Sequence, residues 1–246
     1  MNDANHPHTD SHAEAGHHHL AGRDHGPALG VAETTSAFDH GAVSRFNAWF
    51  FDVFDRYINH IARRHKRAAF TGIDAEVVVE IGAGVGANLD YLPAGSRLIA
   101  VEPSLQMHDR LRERAAEAGI VLELLAQGAE SLPLEDAGYD EVICSLVLCT
   151  VGDTDQVIAE VRRILRPGGR FRFVEHVAAP RWSPRRWLQR AIRRPWAWLF
   201  EGCTLDRDTA ARLRAAGFSD VQIERERFHR SFFVPVNTTI WGVATR

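Results

Sequence analysis

From Glu76 to the carboxyl terminus, short apolar runs alternate with stretches in which apolar residues recur every three or four positions. "EVVVEI" (76–81), "RLIAVE" (97–102), "LELLA" (122–126), "DEVICS" (140–145) and "RFRFVEH" (170–176) read as strands, and helical spacing falls around residues 104–118, 153–165 and 207–216. Strands that alternate with helices predict an α/β fold, a parallel sheet wrapped by helices and joined by right-handed crossovers. Two more runs, "VQIERE" (221–226) and "TTIWGVAT" (238–245), follow without an intervening helix, so an antiparallel pair is expected to end the sheet. No internal repeat is visible.

Ahead of the first strand, "SRFNAWFFDVFDRYINHIARRHKR" (44–67) repeats Phe46, Phe50, Phe54, Tyr57, Ile58 and Ile61 on one helical face. It predicts an amphipathic helix docked on its own domain. Its basic end, Arg63, Arg64, Lys66 and Arg67, complements the helix dipole. A helix lying on a membrane surface would share the pattern. The first 40 residues read as a disordered tail: they are polar and carry His6, His8, His12, His17, His18, His19 and His25, with too little apolar surface to offset the entropy of ordering. Weak metal binding by these imidazoles is one reading, a solubilising tail the other.

A chain of 246 residues has room for one large α/β core, and a net charge of -3 does not suggest bulk nucleic-acid binding, so no nucleic-acid partner is expected. Cys144, Cys149 and Cys203 show no close zinc-ribbon or redox spacing, so no metal site is expected, and a reducing, cytoplasmic setting fits. No run approaches the roughly 18 apolar residues of a membrane span.

The chemistry gathers at "VEIGAGVGAN" (79–88). Gly82, Gly84 and Ala87 satisfy the dinucleotide pattern G-x-G-x-x-G/A, with Glu102 20 positions after Gly82. Glu80, Gly82, Gly84 and Gly86 equally satisfy E-x-G-x-G-x-G, a loop used for S-adenosylmethionine. A dinucleotide brings a pyrophosphate, which wants amide donors. S-adenosylmethionine instead carries a sulfonium and an ammonium, and an acidic Glu80 beside the loop favours a cation. Glu102 in "VEPS", ended by Pro103, offers two oxygens to ribose hydroxyls. Ligands of open α/β sheets lie beyond the carboxyl ends of the strands, so Gly128, Ala129, Glu130, Ser145 and Leu146 are expected to line the same crevice. Asn88 and Met107 complete the predicted cofactor set.

Through "VEIGAGVGAN", "VEPS", "GAESLP", "DEVICSLVLCTV" and "LRPGGRFRFVEH", residues 77–176 resemble the class I S-adenosylmethionine-dependent methyltransferases of the methyltransferase domain 11 type. That resemblance implies a Rossmann-like, doubly wound sheet of seven strands, the last antiparallel. It implies methionine and ribose binding at the ends of the first two strands and adenine binding at Gly128 and Ala129. Gly128 stands where an aspartate is common, which shifts adenine contact to the backbone or to Glu130. A narrower match through "LVLCTV", "LRPGGRFRFVEHVAAP", "PWAWLFEGCTLDRDT" and "LRAAGF" resembles the methyltransferase-like thiol S-methyltransferases, with Cys149, Glu175, His176, Gly202, Cys203, Leu205 and Arg207 in matching positions. That family carries a hydrophobic membrane anchor where this chain has the histidine-rich tail.

The organisation expected is a tail over 1–40 and a methyltransferase domain over 41–246, with a helical cover at 41–75 and an acceptor lid at 177–206. His176, after the fifth strand, is the candidate to orient or deprotonate the acceptor, since an imidazole titrates near neutral pH. A thiol acceptor fits, being already a few per cent thiolate at neutral pH. A lipid or quinone-like acceptor is the alternative, and an NAD-binding oxidoreductase is the alternative of another class. The lid segment 181–200 interleaves arginines with Trp182, Trp187, Trp196 and Trp198, which permits peripheral membrane contact, while an arginine-rich pocket cover explains it equally.

Overall fold

The computed structural model describes residues 41–228 and 231–246; the histidine-rich tail therefore lies outside the described residues. The apolar runs form strands in one seven-stranded sheet: β1 (Val77–Ile81), β2 (Arg97–Val101), β3 (Val121–Leu125), β4 (Tyr139–Ser145), β5 (Leu165–His176), β6 (Asp220–Arg227) and β7 (Thr238–Thr245). Their order is β3-β2-β1-β4-β5-β7-β6, and β7 runs antiparallel to both β5 and β6. The expected doubly wound sheet with an antiparallel last strand is thus present. Winding reverses between β1 and β4, and that switch point opens a crevice at the carboxyl ends of the strands.

Alternation along the buried strands divides the core into two layers. Val79, Ile81, Val142, Phe171 and Phe173 face one way, against α3 (Thr154–Ile164) and α5 (Thr209–Ala215). Val78, Leu98, Ala100, Ile143 and Val174 face the other way, toward the end of α1 (Ala42–Phe70) and α2 (Leu105–Glu117). Asp153 caps α3 by accepting from the amides of Asp155 (2.9 Å) and Gln156 (3.1 Å), as an Asn, Asp or Ser before a helix commonly does.

The predicted amphipathic helix is α1, and its aromatic face does dock inward: Phe50 lies 5.3 Å from Phe200, and Tyr57 stacks on Phe232 at 4.4 Å between ring centroids. Its carboxyl end is tied to the sheet by Arg172. That side chain makes a two-pronged pair with buried Glu141 (2.8 and 3.1 Å) and donates to the carbonyls of Ala69 (2.9 Å) and Thr71 (2.8 Å). Each charge is thereby neutralised and hydrogen-bonded out of water, which is the condition for burying an ion pair without heavy loss.

Two features differ from the expectation. β5 starts at Leu165 rather than Arg170, because Leu165 pairs with Tyr139 before the register shifts at Glu141 and the chain turns through Gly168 at φ +80°. The basic, tryptophan-rich lid contains a helix, α4 (Pro184–Leu199), with Pro184 in its first turn and Ser183 accepting from the Arg186 amide at 3.2 Å. Among the described residues no helix is long and apolar enough to cross a membrane.

Candidate active site

Five strand ends and two covering helices enclose a cavity of about 300 Å³ at the switch point. The loop after β1 supplies Gly82, Gly84 and Asn88; the end of β2 supplies Glu102 and Pro103, with Met107 from α2. Gly128, Ala129 and Glu130 come from the loop after β3, Ser145 and Leu146 from the end of β4, and His176 from the end of β5. Folding therefore brings together twelve of the fourteen residues singled out. The other two, Glu80 and Gly86, do not line the cavity; Glu80 reaches it through Asn88.

Each loop has a physical reason for its shape. Gly82, Gly84 and Gly86 all take positive φ (67°, 55° and 83°), a region that L side chains enter at a cost of roughly 1–2 kcal/mol. A Cβ on Gly82 would come within 2.4 Å of Val147, and one on Gly86 within 2.6 Å of Leu89, so these two glycines permit close packing. At Gly84 the nearest atom to such a Cβ is Met107 Sδ at 3.7 Å; the space there belongs to the cavity.

The carboxylates are held by the loops they serve. Glu102 Oε2 accepts from the Gly84 amide and Oε1 from the Ser104 amide, both at 2.8 Å, so the side chain is fixed in the cavity wall with lone pairs to spare. Burial pushes its carboxyl up to about 7 against the pull of those two amides. Glu80 is fully buried; Oε1 accepts from Asn88 Nδ2 at 2.6 Å, and Oε2 has no hydrogen-bond partner among the described residues. Burial raises Glu80 to about 7 as well, opposed by the Asn88 bond and the charge of Lys66.

Lys66 belongs to the basic helix end expected from the sequence, and the structure adds that its side chain is buried. It is 1 % exposed, lines the cavity, and donates to Asn59 Oδ1 (2.6 Å) and the Ala87 carbonyl (3.3 Å). Burial lowers its ammonium to about 8, while the charges of Glu80 and Asp55 hold it up. Helical spacing gives no hint of this: at about 100° per residue Lys66 falls roughly 140° round the helix from Ile61, nearly opposite the predicted apolar face.

His176 does not stand alone. Its Nε2 lies 3.2 Å from Cys203 Sγ, and that sulfur is 3.7 Å from Cys149 Sγ and accepts from Trp196 Nε1 at 3.3 Å. One donor atom from each of Cys149, His176 and Cys203 lies within 4.8 Å of the others, and all three residues line the cavity. Its hydrogen bond with Cys149 holds the Cys203 thiol well below its usual range in spite of burial, with the His176 charge adding to the effect. Burial opposes charge on His176, yet the Cys203 sulfur outweighs it and raises the imidazole. Spacing along the chain had argued against a metal site; folding assembles this cluster from three separate segments. Glu175 next door is buried and structural: it accepts from the amides of Val147 (3.0 Å) and Leu148 (3.1 Å) and fixes the turn that carries Cys149.

Comparison with known proteins follows the same lines. The family model "Methyltransferase domain" matches residues 79–173. The thiol S-methyltransferase TMT1B of Homo sapiens is 36% identical over 180 residues, spanning 72% of this chain and 73% of its own length. The thiol S-methyltransferase TMT1A of Homo sapiens is 33% identical over 172 residues, 69% of this chain and 70% of that one. Among solved structures, a SAM-dependent methyltransferase of Thermotoga maritima superposes with a TM-score of 0.59 at 20% identity, covering 82% of this chain and 99% of that chain.

Proposed function

The chain belongs to the S-adenosylmethionine-dependent methyltransferases, and from that membership we propose that it methylates the sulfur of sulfide or of a small thiol. The residues present suit the donor. Gly84 leaves a recess that any Cβ would fill, Glu102 retains acceptor capacity for ribose hydroxyls, and the unpartnered oxygen of Glu80 adds negative potential for a cation. Asn88 relays that charge to the wall, and Ser145 Oγ, buried without a partner in the same cavity, is a further polar contact. These observations disfavour a pyrophosphate, so the dinucleotide alternative is set aside.

S-adenosylmethionine supplies an electrophilic methyl group on a sulfonium. What remains for the protein is alignment in a dry pocket and removal of the acceptor's proton. Phe50, Phe51 and Phe200 close the cavity against water. The observation that carries the thiol reading is the Cys149, His176 and Cys203 cluster in the wall of the donor's own cavity. A thiol with a pKa of about 8.5 needs only modest help to ionise, and an imidazole bonded to a polarisable sulfur is a suitable seat for it. In this reading His176 acts with Cys203, whereas His176 alone was expected from the sequence.

A panel of sulfide, alkyl thiols and phospholipid vesicles with labelled methyl donor tests the proposal. Methylated thiols are the expected product, and labelled lipid with untouched thiols overturns it. One observation favours the second reading, a lipid or quinone-like acceptor: Trp182, Trp187 and Trp198 on the lid are 94%, 68% and 72% exposed.

A further inference from the structure

Cys149, His176 and Cys203 reach one point from three places: the turn after β4, the end of β5, and the segment after α4. Two sulfurs and one imidazole nitrogen are the donor types that zinc selects. In a tetrahedral zinc site, bond lengths of about 2.3 Å to sulfur and 2.0–2.1 Å to nitrogen put ligand atoms about 3.6–3.8 Å apart. The two sulfurs here are 3.7 Å apart, His176 Nε2 is 3.2 Å from Cys203 Sγ, and no pair exceeds 4.8 Å. A small relaxation of one ring completes the geometry.

The surroundings are set up in advance. Arg207 donates to the carbonyls of Leu148 (2.6 Å) and Val151 (3.0 Å), holding both sides of the Cys149 turn. Thr204, next to Cys203, donates its amide (2.8 Å) and hydroxyl (2.9 Å) to the Cys149 carbonyl and so fixes the spacing of the two cysteines. Trp196 Nε1 donates to Cys203 Sγ, the kind of outer bond that orients a metal-bound thiolate. Two thiolates and a neutral imidazole neutralise a divalent ion, which removes the main penalty against burying charge.

We propose that Cys149 Sγ, His176 Nε2 and Cys203 Sγ bind one zinc ion whose fourth position opens onto the cavity. Three protein ligands with an open fourth place is the arrangement of catalytic rather than structural zinc. Binding releases the thiol protons to solvent. Only the identity of the fourth ligand rests on the thiol reading: an acceptor R–SH loses its proton to solvent and binds through sulfur. When that sulfur forms its bond to the methyl carbon, the donor's sulfur–methyl bond breaks, and the product leaves as a neutral thioether.

The test is a titration of the full chain with cobalt(II) after chelator treatment, in a non-thiol reductant. The expected result is one equivalent bound with thiolate-to-cobalt charge-transfer absorption, displaced by zinc. Cys149→Ser and Cys203→Ser each weaken binding by at least about tenfold, the scale lost when even an outer partner is removed. Cys144→Ser, at a cysteine outside the cluster, keeps the band. Cobalt bound without that band, as histidines alone would bind it, overturns the proposal, and so does a band that survives both substitutions. Should a serine variant fail to fold, X-ray absorption of the zinc-loaded wild type decides: two sulfur ligands support the site and none refutes it. Thiol methylation by a chain lacking the cobalt band would sink the metal site alone, while the band without thiol methylation would support the site and sink the thiol reading.

Discussion

A carboxylate buried completely, with one oxygen bonded to Asn88 and the other unpartnered, is an expensive place for a negative charge, and Glu80 rises from an ordinary 4.5 to about 7. Between those values the folded chain holds a proton that the unfolded chain has lost. Glu80 therefore stabilises the fold fully below its unfolded value, and that contribution fades as pH rises to about 7. Ligand binding runs the other way. A cationic donor prefers ionised Glu80, so affinity for S-adenosylmethionine or S-adenosylhomocysteine, whose ammonium is shared, increases as pH rises through about 7, by at most about tenfold per unit. Glu80→Gln flattens this dependence in calorimetric titrations, leaving the contributions of Glu102 and Lys66; an unchanged slope would remove Glu80 from donor binding. Lys66 acts on the same carboxylate. Replacing it by Met removes the charge that opposes the rise of Glu80 and the bond to the Ala87 carbonyl. Steady-state kinetics at neutral pH should show KM for the donor raised several-fold with kcat little changed, and a fall confined to kcat would contradict this account.

At the level of elements, the loop after β1 separates packing from binding. Gly82→Ala meets both a positive φ and the branched side chain of Val147, whereas Gly84→Ala meets the positive φ and an open recess. Thermal melting should drop sharply for Gly82→Ala and by about 1–2 kcal/mol for Gly84→Ala, while the donor KM rises in the second despite its milder loss of stability. Equal effects of the two on stability and KM would mean that the recess is not a ligand seat. This loop and the strands around it were legible because they depend on local rules: β-branched runs such as "VVV" make buried strands, and an acid followed by spaced glycines marks a tight turn. The pairing of His176 with Cys203 was not legible, since the partners lie 27 positions apart and meet only when the chain after α4 folds back over the strand ends. Nor was Lys66, because helical periodicity ranks a lysine as solvent-facing unless the cavity beside it is already known.

Over the whole molecule, the cover of the cavity also carries several exposed apolar side chains. Phe50 of α1 packs against Phe200 just after α4 and against Phe233, so these three segments form one continuous roof. Around it Trp49, Val53, Trp182, Trp187, Trp198 and Phe232 remain exposed, and Arg185, Arg190, Arg193 and Arg194 share α4 with two of the tryptophans. Scattered apolar side chains on a surface need no explanation, but tryptophans interleaved with cations suit the headgroup level of an anionic bilayer. A surface of this kind beside the cavity mouth would give an apolar acceptor a route that bypasses water. Flotation with vesicles rich in anionic lipid is expected to carry the chain upward, and high salt to release much of it because screening weakens the arginine attraction. Replacing Trp182 and Trp187 together by Ala should reduce flotation while leaving methylation of a water-soluble thiol intact, since neither side chain borders the cavity. If the wild-type chain stays entirely in the soluble fraction at low salt, the roof is a solvated pocket cover and offers no membrane route to the cavity.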